Sequence, residues 1–102
     1  MKLPFEPGAA EEFEAAATWY ERERTDYGEL FMSAVRGSVD RAVRFPQSGI
    51  QVHGFGRERD VRRFTVLRFP YSVVTAVVDG RRAVVAIAHT SREPGYWHDR
   101  VT

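Results

Sequence analysis

Ser72-Val73-Val74-Thr75-Ala76-Val77-Val78 and Ala83-Val84-Val85-Ala86-Ile87-Ala88 are two runs rich in β-branched residues, separated by Asp79-Gly80-Arg81-Arg82. Branched side chains pack well on a pleated surface, and Asp-Gly readily adopts the left-handed backbone of a tight two-residue turn. The stretch predicts an antiparallel hairpin with strands over 72–78 and 83–89. Just upstream, Val61-Arg62-Arg63-Phe64-Thr65-Val66-Leu67-Arg68 interleaves arginines with strand formers and predicts a further strand over 61–68. Phe69-Pro70-Tyr71 must then be a turn, because Pro cannot donate to a central ladder.

Working outward, the amino-terminal half reads as helical. Pro7-Gly8 suits a first helical turn, and Glu11, Glu12 and Glu14 favour the positive end of a helix. Phe13, Ala16, Ala17 and Tyr20 form one apolar stripe, while the Glu and Arg residues from 21 to 24 make a solvated face. Asp26-Tyr27-Gly28 breaks the pattern. A second stripe follows at Phe31, Ala34, Val35, Ser38, Val39 and Ala42, and Pro46 ends it by disfavouring helical geometry at Phe45. The small residues Ala16, Ala17, Ala34 and Ser38 would let the two helices approach closely as a hairpin. Residues 47–60 contain three glycines and no helical period, so they read as a loop. Lys2-Leu3-Pro4-Phe5-Glu6 reads as a short edge strand. The expected fold class is α+β: an N-terminal strand, then a helical hairpin packed on an antiparallel sheet of three to four strands, all within one domain over 1–102.

The chain has 102 residues, 43% of them apolar, and no cysteine, which excludes disulfides and thiolate metal sites. No apolar run approaches the roughly 20 residues of a membrane helix, and the N-terminus lacks the features of a signal peptide. A cytoplasmic protein with no membrane partner is expected. The net charge of +1 hides an asymmetry: residues 1–26 carry seven acids and three bases, and the remainder is basic. Every base but Lys2 is arginine, whose planar fork matches carboxylate or phosphate. The pI of about 8.2 falls below that of a dedicated nucleic-acid binder.

Arg62, Arg63 and Arg68 are the first candidate site residues. Phe64 and Val66 share a strand face with Arg62 and Arg68, and Arg63 lies on the other. If the helices cover the Phe64 face, Arg63 projects outward. These arginines either grip an acidic partner or pair with helix acids such as Glu12. Arg92, Tyr96 and Trp97 in the tail are the second group. The rings either stack on a base or fill a partner's groove, or fold back over the sheet. His53, His89 and His98 have no metal-ligand spacing, so neither a metal nor a cofactor is expected.

Together these features resemble the ParE/RelE superfamily of type II toxin–antitoxin toxins, also called plasmid stabilisation proteins. The residues that carry the resemblance are Trp19-Tyr20, Gly28-Glu29-Leu30-Phe31, Phe45-Pro46, Val61-Arg62-Arg63, Phe69-Pro70-Tyr71, and His89 followed by Arg92, Pro94, Tyr96 and Trp97. The resemblance implies a growth-inhibiting toxin neutralised by a cognate antitoxin encoded nearby, with operator DNA reached only through that antitoxin. It implies one of two targets. ParE-like members bind DNA gyrase, and RelE-like members cleave mRNA on the ribosome with basic residues. For the endonuclease alternative the candidate catalytic residues are Arg63, Arg92 and Tyr96. For a binding toxin the contact residues are Arg62, Arg63, Arg68, Arg92, Tyr96 and Trp97. Cleaving members commonly carry an Arg after the Tyr that opens the central strand, where this sequence has Ser72 after Tyr71, and Thr65 stands where they favour a Lys. These departures favour the gyrase-binding branch.

Overall fold

Pro7 opens the first helix because its missing N–H costs nothing in a first turn. The computed structural model describes residues 3–101. Helix α1 (Pro7–Glu23) and helix α2 (Tyr27–Arg44) form the expected hairpin. The break between them comes slightly earlier than the sequence suggests. Tyr27 and Gly28 already belong to α2, and Asp26 takes the left-handed conformation at φ 71°. Glu21, from the end of α1, accepts the N–H groups of Asp26 and Gly28 at 3.1 Å each. One carboxylate thus satisfies donors that the start of α2 would otherwise leave unpaired. Gly28 also permits the tight crossing, since a Cβ there would lie 2.7 Å from the Ala17 carbonyl oxygen.

The sheet contains β1 (Ile50–Gln51), β2 (Arg62–Thr65), β3 (Tyr71–Val78) and β4 (Arg81–His89), antiparallel and in sequential order. Asp79 and Gly80 make the hairpin turn with φ of 52° and 76°. Three expectations need correction. Part of the 47–60 loop is the short strand β1, which lacked enough residues to display a period. The strand read over 61–68 stops at Thr65, because the Tyr71 N–H turns to the Phe69 carbonyl instead of returning to Val66 and Arg68 is left-handed at φ 72°. The N-terminal strand is only a parallel bridge between Phe5 and Val84, held by Val84 N–H to Pro4 O and Glu6 N–H to Val84 O at 2.8 Å each. Lys2 lies outside the described residues.

The sheet is covered on both faces. Against the helices it buries Phe64, Val66, Val73, Val84 and Ile87 with Phe31 and Val35. On the far face Val61, Val74, Val85 and Ala86 pack with Trp97 and Val101 of the tail. A β-bulge links the two faces. Thr75 pairs with Val84 and Val74 with Ala86, so Val85 is an extra residue on β4. Val85 and Ala86 consequently both belong to the tail-facing cluster, while Val84 and Ile87 face the helices. Ser38, expected to ease helix packing, instead ties α2 to the sheet, its hydroxyl donating to the Thr65 carbonyl at 2.8 Å.

Candidate functional site

Beyond His89 the chain turns back instead of leaving the sheet. The Thr90 N–H donates to the Pro70 carbonyl at 2.9 Å and the Arg92 N–H to the His89 carbonyl at 3.1 Å. Gly95, at φ 79°, supplies the left-handed step before Tyr96 and Trp97. The Trp97 indole stacks on Phe55 with centroids 5.6 Å apart and planes 11° from parallel. His98 stacks on the same ring at 4.6 Å. This folded tail and the 52–55 loop enclose a cleft of about 640 Å³ on the far face of the sheet.

The cleft has an apolar floor of Val74, Ala88 and Trp97. Arg63, Arg92, Tyr96 and the imidazoles of His53, His89 and His98 line it as well. Glu93 is the one carboxylate among the lining residues. A smaller pocket of about 240 Å³ lies between α1 and the sheet, with Trp19, Tyr71 and Ile87 in its wall. His89 and Arg92 line both cavities and so separate them. His89 is oriented locally: its Nδ1 accepts the Ser91 N–H at 3.0 Å and lies 2.7 Å from Ser91 Oγ.

A single acid secures the tail. Glu12 accepts the Ile87 N–H at 3.0 Å, the Tyr96 hydroxyl at 2.6 Å, and two Arg100 N–H groups at 2.9 and 3.1 Å. Arg100 also donates to the Val85 carbonyl at 3.0 Å, at the bulge. These two side chains satisfy part of the β4 edge where no strand is paired with it. Arg92 lies 3.9 Å from Glu12, with its guanidinium 3.8 Å above the centre of the Tyr96 ring. Burial, and then the bond to Glu12, push the Tyr96 phenol well above its ordinary value. The phenol donates its proton to the hydrogen bond with the Glu12 carboxylate.

Of the candidate contact residues singled out from sequence, Arg63, Arg92, Tyr96 and Trp97 line the cleft. Arg63 is exposed on the face opposite Phe64, the orientation expected if helices cover Phe64. Arg62 does not join them. Its side chain is only 15% exposed, and it donates to Asp60 Oδ1 at 3.0 Å, the Gly49 carbonyl at 3.1 Å and Gln47 Oε1 at 2.7 Å. It is a staple for the 47–50 segment. Arg68 sits exposed in the β2–β3 turn, outside the cleft lining. Trp97, read as a contact residue, is 5% exposed and belongs to the core. Glu12 was considered a partner for the strand arginines, yet it pairs with tail arginines. Arg100 went unnoticed because nothing in its local sequence ties it to residue 12. The one signal was an acid beside the apolar stripe of α1, four residues before Ala16, where a carboxylate needs a cation.

Among the described residues no group of three or more His, Asp and Glu could hold a metal ion. No helix there is long and apolar enough to cross a membrane. Among solved structures, the chain is similar to one from the chromosomal ParDE TA system of P. aeruginosa. The TM-score is 0.69 at 17% identity, over 89% of this chain and 97% of the other. No family model and no curated protein sequence matches the chain. At that identity the likeness is one of fold: two helices on a four-stranded antiparallel sheet.

Proposed function

We propose that this chain is the toxin of a type II toxin–antitoxin pair, acting by binding DNA gyrase and neutralised by a cognate antitoxin. The observation that carries the reading is a fold shared along nearly the full length of both chains with a member of a ParDE system. The motifs from Trp19-Tyr20 to Tyr96-Trp97 resemble the same superfamily. The target is argued from the cleft. Tyr96 is committed to Glu12 through a 2.6 Å bond that occupies its one proton, which suits a binding surface better than proton transfer to a substrate. Ser72 and Thr65 supply no charge where cleaving relatives carry one.

The antitoxin segment that fits this surface is acidic and amphipathic. Its apolar side chains would lie on the Val74 and Ala88 floor while carboxylates pair with Arg63 and Arg92. Arg62 is left out because its donors are already used within the chain.

One observation favours a second reading, a ribosome-dependent mRNA endonuclease. Arg63, Arg92 and Tyr96, the three residues that chemistry would use, line a single cleft. Inducing the chain alone in bacteria and following DNA and protein synthesis by pulse-labelling separates the two. Arrest of DNA synthesis first, with a DNA-damage response, is the expected result. Arrest of protein synthesis first, with cut messages, would replace the gyrase reading with the endonuclease one. Growth unaffected by induction would remove both.

A further inference from the structure

Glu12 does not line the cleft, yet it bonds to Tyr96 and lies close to Arg92, both of which do. We infer that Glu12 is the positioning residue of the cleft, holding Tyr96 and occupied by Arg100 so that the Arg92 N–H groups stay free of a close hydrogen bond and, with Arg63, capture an anionic group of the partner. Glu12 has this role only if the cleft is the contact surface proposed above.

The geometry points to this through the arithmetic of one carboxylate. A carboxylate offers about four lone-pair sites. Oε1 takes the Ile87 N–H and one Arg100 N–H; Oε2 takes the Tyr96 hydroxyl and the other Arg100 N–H. Nothing is left for a close bond to Arg92, which stops at 3.9 Å with its side chain 54% exposed. Arg92 instead rests on the Tyr96 ring, its guanidinium carbon 3.8 Å from the ring centre. A guanidinium held over a ring, with no close carboxylate bond, keeps its N–H groups free to grip an oxyanion. With Arg100 absent, Glu12 would have free lone pairs and Arg92 would close onto them.

Positioning and simple electrostatics predict opposite signs. Removing a negative charge beside an anion site should strengthen anion binding if charge alone matters. If Glu12 positions Arg92, the same change should weaken binding, because a long side chain must be immobilised anew on each encounter. The probe is inorganic pyrophosphate, titrated by calorimetry into the whole chain, with the fold checked by circular dichroism. Glu12→Gln is expected to bind about fivefold more weakly, the size of effect from freeing one such side chain. Glu11→Gln, which removes an exposed neighbouring charge, should bind as well as the wild type or slightly better. Tyr96→Phe keeps the ring under Arg92 and loses only the tie to Glu12; it should weaken binding in the same direction, and it carries the test if Glu12→Gln does not fold.

Wild-type or tighter affinity in a folded Glu12→Gln or Tyr96→Phe chain would reduce Glu12 to a brace and overturn the inference. Affinity in the wild type that survives Arg92→Ala would overturn it too, by locating the anion elsewhere. A wild-type chain that binds no pyrophosphate, and whose toxicity persists in the Arg63→Ala, Arg92→Ala double variant, would remove the cleft as contact surface and the role of Glu12 with it.

Discussion

Single carboxylates carry much of the organisation here, and each can be tested alone. Asp60 lies between Arg62 at 3.0 Å and Arg82 at 2.7 Å. The hydrogen bond from Arg82, joined by that from Arg62, lowers its pKa despite partial burial. A carboxyl depressed in the folded state stabilises the protein above its unfolded value, near 4, and loses that contribution as pH falls through the folded value. Asp60→Asn, which tolerates the same left-handed backbone, should cost about 1–2 kcal/mol at neutral pH, a charged hydrogen-bond pair discounted for its access to water. Urea unfolding at a series of pH values should find the two chains converging below about pH 4. A constant gap down to low pH would mean the carboxylate is not what matters. Tyr96 works in the opposite direction. With its phenol raised in the fold, stability should be full below about pH 10 and fall above it, more gently in Tyr96→Phe.

At the scale of an element, α2 contains two glycines with opposite expectations. Gly28 faces the Ala17 carbonyl oxygen, where a Cβ would sit 2.7 Å away, against backbone that cannot yield cheaply. Gly37 has nothing within 4 Å of a built Cβ. Gly28→Ala should therefore destabilise by about 1–3 kcal/mol as an overpacked contact. Gly37→Ala should stabilise by about 0.5–1 kcal/mol, since Ala restricts the unfolded chain and favours helix. Thermal melts of the two variants check this, and equal shifts would contradict the close crossing of the hairpin. The helices and the long strands were legible because burial leaves a period in sequence: Phe13, Ala16, Ala17 and Tyr20 mark one, the β-branched runs the other. Strand β1 was not legible, because two residues exposed on an edge carry no period. The length of β2 was misread for a related reason: Val66 is buried, so it looks like strand, but its carbonyl accepts the Phe69 N–H of a turn.

For the whole molecule the tail is what closes the far face of the sheet. Trp97, with Phe55 stacked on it, is the largest side chain of that second cluster. Trp97→Ala should cost about 3–5 kcal/mol, the range for large aromatics truncated in a core. Its unfolding midpoint in urea measures this, and a loss below about 1 kcal/mol would mean the tail is only loosely applied. The acidic residues 1–26 and the basic remainder bear on the proposed antitoxin contact. On the proposed reading, antitoxin binding through Arg63 and Arg92 should weaken as salt is raised, because these side chains are exposed and screened. Affinity unchanged between low and high salt would remove the electrostatic account.

Periodicity, turn chemistry and breakers determined the helical hairpin, the Asp79-Gly80 turn and the antiparallel hairpin of β3 and β4, because each depends on neighbours in sequence. They also brought forward Arg63, Arg92 and Tyr96, whose side-chain chemistry is visible without a fold. Only the tertiary structure decided which arginines remain available. Arg62 is used up by Asp60, Gln47 and Gly49, and Arg100 by Glu12, partners that lie up to 88 residues away. A guanidinium's role depends on where its hydrogen bonds go, and that depends on contacts distant in sequence.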